Sequence, residues 1–132
     1  MSWIHDTLSD FGRQIGIAQL ALDSQGAVQL AFEDGGALVV EPVQRGDVAE
    51  VLVYLQRKVG HQASTLMPFA LERADCMRAA PFMVQVVLRG SGPDTRLIAL
   101  VRMDERAFTP QALAQSVDFL TRWLDEVLVA SR

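Results

Sequence analysis

Two stretches in the last third of the chain decide the fold: residues 82–103 read FMVQVVLRGSGPDTRLIALVRM, and residues 109–128 read TPQALAQSVDFLTRWLDEVL. The turn-forming run at residues 90–94 separates two apolar runs, which predicts a β-hairpin. In the second stretch, Thr109 is suited to cap a helix and Pro110 to occupy its first position. Apolar residues then recur at helical spacing, at Leu113, Val117, Leu120, Leu124, Val127 and Leu128. A hairpin followed by an amphipathic helix predicts an α+β domain.

Upstream, the apolar pattern alternates with period two and predicts three further strands. They cover residues 20–23, 28–32 and 37–43. Pro42 has no N–H to donate to a ladder, so we expect its strand to be an edge or to end there. Residues 48–58 fit either a strand or a helix, and the pattern leaves that choice open.

Two more helices are predicted. The N-terminal one places bulky apolar side chains on one arc, at Trp3, Ile4, Leu8, Phe11 and Ile15. The other covers residues 66–77 after a loop at residues 60–64, with Pro68 tolerated in its first turn. Because this helix is apolar round most of its circumference, it must bury more than one side. The predicted order is α-β-β-β-(β)-α-β-β-α, a twisted antiparallel sheet flanked by three helices in one domain, residues 1–132.

Composition narrows the function. The chain has 132 residues, of which 50% are hydrophobic, and a net charge of −4. This apolar content is enough for one core, and the acidic balance argues against nucleic acid as a partner. A single cysteine, Cys76, forms no internal disulfide. We see neither a secretory signal nor an apolar run of about 18–20 residues, so we expect a cytoplasmic protein without membrane insertion.

The sequence offers little chemistry for catalysis. His5 and His61 lie far apart and have no Cys, Asp or Glu at metal-ligand spacing, so a surface or structural role is the better interpretation. Cys76 lies among apolar residues, which favours a buried side chain over a nucleophile. Phosphate-binding, zinc-protease and nucleophile-elbow motifs are absent. We therefore predict no catalytic residue, no metal and no cofactor.

Surplus apolar side chains are the unusual feature. Trp3, Ile4, Leu8 and Phe11 exceed what a short terminal helix needs in order to dock on a sheet. Both faces of the predicted hairpin also carry apolar residues, whereas a sheet covered on one side alternates apolar and polar positions. These side chains either fill a compact core or form a groove or seam for a partner.

Several stretches along the chain resemble the class I chaperones of bacterial type III secretion systems, the CesT-like group. They are FGRQIG at residues 11–16, LALD at 20–23 with the Gly26 turn, FALE at 69–72, Pro81-Phe82, and FTPQAL at 108–113. The resemblance runs from about residue 8 to residue 128 and consists of apolar positions, turns and caps. Residues 43–64 lack a clear signature of the group.

The resemblance implies a homodimer that binds the N-terminal segment of one or more type III effectors, holds it extended and delivers it to the secretion ATPase. It implies no nucleotide and no metal. The implied effector-binding residues are Trp3, Ile4, Leu8, Phe11, Leu20, Leu30 and Phe32. The implied dimer residues are Phe69, Leu71, Ala74 and Met77.

Two other functions remain open from the sequence. One is a YbjN-like protein-binding module of the same fold without a secretion role. The other is a small α+β enzyme or ligand-binding domain with a cavity between sheet and helices, which a closed pocket with convergent polar side chains would favour.

Overall fold

The protein is described here by a computed structural model. It describes residues 2–14, 27–31, 36–74 and 84–130, and within the first helix it describes the side chains of residues 6–13. The elements are α1 Ser2–Gln14, β1 Val28–Ala31, β2 Ala37–Arg45, β3 Val48–Lys58, α2 Ala63–Arg73, β4 Gln85–Arg89, β5 Arg96–Asp104 and α3 Pro110–Ala130. This order confirms the α+β prediction, while the predicted strand at residues 20–23 lies outside the described residues.

The described strands form one antiparallel sheet in the order β1-β2-β3-β5-β4. Residues 48–58 form its central strand, and Val53 pairs with Val40 on β2 and with Val101 on β5. A strand is favoured here because the β-branched Val51 and Val53 pack together on the sheet face that the helices cover. β1 pairs with β2 only as far as Val40. At Pro42, β2 is therefore an edge on that side within the described part of the sheet, as predicted.

The core lies between one face of the sheet and the three helices. α3 begins as predicted, since the Ala112 amide donates to Thr109 Oγ1 at 3.0 Å. Its apolar side is fully buried against the sheet, at Leu113, Leu120, Leu124 and Val127. α1 adds Leu8 and Phe11 to the same core, and α2 adds Leu66 and Ala70. Each buried leucine contributes on the order of 1.5–3 kcal/mol.

The start of α2 differs from the prediction. The helix begins at Ala63 rather than at residue 66, and a 3₁₀ turn, Gly60–Gln62, precedes it. The amides of Val59 and Gly60 both donate to the Thr95 carbonyl at 3.0 Å, which fixes this segment on the β4–β5 turn. Pro68 consequently lies in the second turn, where its ring removes the amide that would donate to the Ser64 carbonyl. The predicted residues 75–77 of the helix lie outside the described residues.

Candidate interaction surfaces

Three of the residues predicted to bind a partner on the N-terminal half are described by the structure, and all three are buried or half-buried. Leu8 is fully buried and Phe11 is 3% exposed, both within the core that α3 covers. Leu30 is half-buried and packs against that core. In this arrangement Leu8 and Phe11 offer no open surface. Side chains Trp3 and Ile4, and residues Leu20 and Phe32, lie outside what the structure describes.

The residues predicted for the dimer interface do not all lie on the same side of helix α2. Leu71 is 57% exposed, whereas Phe69 is half-buried and packs against the core, as does Ala74. At 3.6 residues per turn, Phe69 and Leu71 point about 160° apart round the helix. Met77 lies outside the described residues.

The open side of this helix is called here the α2 surface. It consists of the exposed Pro68 and Leu71 and of the half-buried Met67, which packs partly against the core. Its orientation is set by contacts at the end of the helix. Trp123 Nε1 donates to the Arg73 carbonyl at 3.4 Å, and the Arg73 guanidinium forms an ion pair with the Glu126 carboxylate. These two bonds join α2 to α3. The buried Leu66 and Ala70 therefore face the core, and Leu71 stays at the surface.

The sheet has a second face, which is turned away from the core and is called here the outer sheet face. The register aligns its side chains in rows across β2, β3, β5 and β4. One middle row is Val39, Tyr54, Leu100 and Gln85. The next middle row is Ala37, Gln56, Ile98 and Val87.

The middle rows are mostly apolar but unevenly accessible. Val39 and Ile98 are nearly inaccessible, while Leu100 and Tyr54 are half-buried and Val87 is 41% exposed. None of these five side chains belongs to the main core cluster, although Val39 and Ile98 are as buried as core residues. The outer sheet face therefore carries apolar area beyond what the three helices cover.

Polar side chains bond to one another along this face. Tyr54 Oη donates to Glu41 Oε2 at 3.3 Å, and Arg102 Nε donates to Gln85 Oε1 at 2.7 Å. Burial raises the pKa of Tyr54, the Glu41 carboxylate raises it further, and the Arg89 guanidinium acts in the opposite direction. The face is thus a mixture of apolar rows and hydrogen-bonded polar side chains.

Sequence reasoning missed the central residues of this face, Leu52, Tyr54, Ile98 and Leu100. The available signal was that β3 and β5 carry apolar side chains at both alternating sets of positions. A strand with only one buried face shows polar residues at every second position. Because residues 48–58 fitted two secondary structures, their alternation could not be assigned to faces.

The described residues show no arrangement for metal binding or membrane spanning. They bring no three His, Cys, Asp or Glu side chains together as possible metal ligands. None of the described helices combines the length and apolarity needed to cross a bilayer. What the structure does provide is contact area, on the outer sheet face and on the α2 surface.

Comparisons with known proteins agree with this architecture. A family model described as type III secretory system chaperone SycN matches residues 3–128. No curated protein matches the chain in sequence.

Three solved structures share the fold. The Yersinia pestis type III secretion chaperone SycH, in complex with a stable fragment of YscM2, superimposes with a TM-score of 0.64 at 12% identity, covering 95% of this chain and 97% of that chain. The chaperone of the HopA1–SchA chaperone–effector complex superimposes with a TM-score of 0.64 at 15% identity, covering 94% of this chain and 91% of that chain. A chain of the ExsC–ExsE complex superimposes with a TM-score of 0.63 at 16% identity, covering 96% of this chain and 89% of that chain.

Proposed function

The chain belongs to the type III secretory system chaperone SycN family, and on that premise we propose that it acts as a homodimer that binds the N-terminal segment of type III effectors. The dimer keeps this segment extended and competent for secretion. The family is one of chaperones and not of enzymes, so the proposed activity is binding alone, with no catalytic residue, nucleotide or metal. We place the chaperone in the cytoplasm, where it delivers its client to the secretion ATPase.

The observation that carries the proposal is the apolar area of the outer sheet face. Leu52, Tyr54 and Leu100 are half-buried there and lie outside the main core cluster. A client segment lying on this face would bury apolar surface, and coupled folding and binding typically buries about 1,000–3,000 Å². Such burial offsets the entropy lost when an unfolded segment becomes ordered.

The sheet edges supply the second kind of contact. β1 and β4 are the outermost described strands of the sheet. An extended segment that adds to such an edge pairs its own main-chain groups and tolerates many side-chain sequences. The complexes of SchA with HopA1 and of ExsC with ExsE, in chains of the same fold, support a polypeptide partner for this chain.

Dimerisation is proposed through the α2 surface. Leu71 is the most exposed large apolar residue of this surface, and α2 is anchored to α3 beside it. A second copy packing on Leu71 would remove this side chain from water. Two copies then present two outer sheet faces to one client, which raises the effective concentration for the second contact.

The client proposal is tested by co-expression with tagged N-terminal segments of effectors from the same bacterium. We expect a stable complex of two chaperone chains and one segment, with the segment exposed to protease when the chaperone is removed. Matched segments from the C-terminal ends of the same effectors serve as controls. If no N-terminal segment is retained, or if both ends are retained equally, the proposed function is wrong.

The dimer is tested by light scattering after size-exclusion chromatography. We expect a mass of about twice 14.5 kDa for the native chain, and the monomer mass for Leu71→Glu, because a charge in an apolar seam is strongly unfavourable. Thr65→Glu places the same charge at another exposed position of α2, about 120° round the helix from Leu71, and should leave the dimer intact. A monomeric native chain, or a dimeric Leu71→Glu variant, would contradict this interface.

A further inference from the structure

The charged side chains of the outer sheet face are unevenly distributed along the strands. At the end next to α2, one row contains Lys58, Arg96 and Arg89, on β3, β5 and β4 respectively. We call these three residues the basic row. Two mostly apolar rows follow. Beyond them lies a row that contains Glu41, Leu52 and Arg102, and after it Glu50 lies directly opposite Asp104. The apolar centre is therefore flanked by three cations at one end and, at the other, by three carboxylates together with the guanidinium groups of Arg102 and Arg45.

The cations of the basic row are adjacent to one another. Arg96 lies directly opposite Lys58 on one side and directly opposite Arg89 on the other. Like charges in directly opposite positions of a sheet are destabilising. The folded chain alone thus maintains an unfavourable arrangement, which an anionic partner would relieve.

Carboxylates of the described residues neutralise little of this charge. Lys58 Nζ lies 3.6 Å from Asp94 Oδ1, and both side chains are more than half exposed. Arg96 Nη1 donates to the neutral amide oxygen Gln56 Oε1 at 3.2 Å. In the described part of the chain, neither Arg89 nor Arg96 forms an ion pair with a carboxylate, and both are exposed.

We propose that the outer sheet face binds a client segment in which acidic residues adjoin an apolar stretch, with the acidic residues on the basic row. The inference rests on the proposed function, since it names the chemistry of the client. Its apolar side chains lie on the two middle rows, which begin one step along the strands from the basic row. That step is two residues, or about 7 Å.

A polypeptide fits this face better than a nucleic acid does. Nucleic-acid binding requires cations that track a phosphate backbone, and the overall charge of the chain is −4. Here three cations occupy one end, whereas at the other end the carboxylates of Glu41, Glu50 and Asp104 outnumber the cations Arg45 and Arg102. A basic row that adjoins an apolar strip matches a segment with acidic and apolar residues in sequence order.

Two fluorescent peptides of about twelve residues test the proposal, because this length crosses the three rows when extended. One has glutamates followed by alternating leucine and serine, and its twin has lysines in place of the glutamates. The native chain should bind the acidic peptide about tenfold more tightly than the lysine peptide. This difference corresponds to the summed interaction energies of a few exposed charge pairs. This preference should shrink as salt is raised.

The double variant Arg89→Glu/Arg96→Glu should reverse the preference and favour the lysine peptide. The matched control Arg106→Glu/Arg122→Glu makes the same change in net charge at exposed positions away from the basic row, and should keep the native preference. Equal binding of the two peptides, binding of neither, or an unchanged preference in Arg89→Glu/Arg96→Glu would overturn the proposal. Tighter binding of an oligothymidylate of similar length would also overturn it.

Thermal unfolding distinguishes a binding role of Arg89 from a structural one. Arg89→Glu places opposite charges directly across β4 and β5, so we expect a rise in Tm of about 1–4 °C together with weaker binding of the acidic peptide. A fall in Tm would show that Arg89 stabilises the fold and would contradict a site kept for binding. The proposed chaperone function is tested separately by the effector complex and the dimer mass, so either idea can fail alone.

Discussion

The two faces of one sheet differ sharply, although the same strands supply both. On the face that the helices cover, Val51, Val53 and Leu55 of β3 are all at most 4% exposed. On the outer face, the alternating neighbours Leu52 and Tyr54 are half-buried, and Tyr54 bonds to a carboxylate. The inner face is mostly apolar and stabilises the fold, with Arg57 at one end bonded to Asp125 on α3. The outer face mixes apolar, cationic and anionic side chains, as a surface for recognising a partner does.

The sharpest test of this contrast makes the same substitution on each face of β3. Leu55→Ala should lower the free energy of unfolding by about 2–5 kcal/mol, since it removes a buried side chain and leaves a cavity. Leu52→Ala should cost only about 1 kcal/mol, because that side chain is half-buried. Urea unfolding of both variants measures the difference. Equal losses would mean that the outer face is as tightly packed as the core.

A smaller loss of stability is expected at the start of α3, the helix that covers the inner face. Thr109→Ala removes the acceptor that caps α3 and should cost about 1 kcal/mol, within a range of about 0.5–2. Thr109→Ser keeps a hydroxyl at that position and should recover most of the loss. Thermal unfolding followed by circular dichroism measures both variants. If the alanine variant is as stable as the serine variant, the cap contributes nothing to α3.

The smallest effect concerns the outer face at high pH. The folded chain holds the Tyr54 proton more tightly than the unfolded chain, because its pKa is raised from 10.0. The free energy of unfolding should therefore fall as pH rises above about 10, and Tyr54→Phe should remove this part of the fall. At neutral pH, Tyr54→Phe should cost at most about 1 kcal/mol, since the bond to Glu41 is partly exposed.

Tyr54 is the only tyrosine of the chain, so absorbance near 295 nm follows its ionisation directly. A midpoint at or below that of a free tyrosine would contradict the raised pKa. The stability measurement then needs only the difference between the native chain and Tyr54→Phe, because other groups that titrate at high pH are common to both.

Sequence reasoning succeeded where a local signal was complete. The Thr109-Pro110 start of α3, the hairpin of β4 and β5, and the edge at Pro42 all follow from capping, turn and ladder chemistry of neighbouring residues. It failed to place the start of α2, because two bonds to the distant Thr95 carbonyl position the segment before it. The resemblance to class I secretion chaperones is confirmed at the level of family and fold. The effector-binding and dimer residues that it implied remain predictions.

The sequence by itself determined the family and most of the elements, apart from the central strand and the start of α2, because helix caps, turn residues and the period of apolar positions act over a few neighbouring residues. Only the tertiary structure decided which apolar side chains are left over for a partner. Leu8 and Phe11 look like surplus on an isolated helix, yet α3 covers them. Leu52 and Leu100 look like core residues, yet the register turns them to the outer face. Exposure depends on what packs above a side chain, and that neighbour is usually far away in the chain.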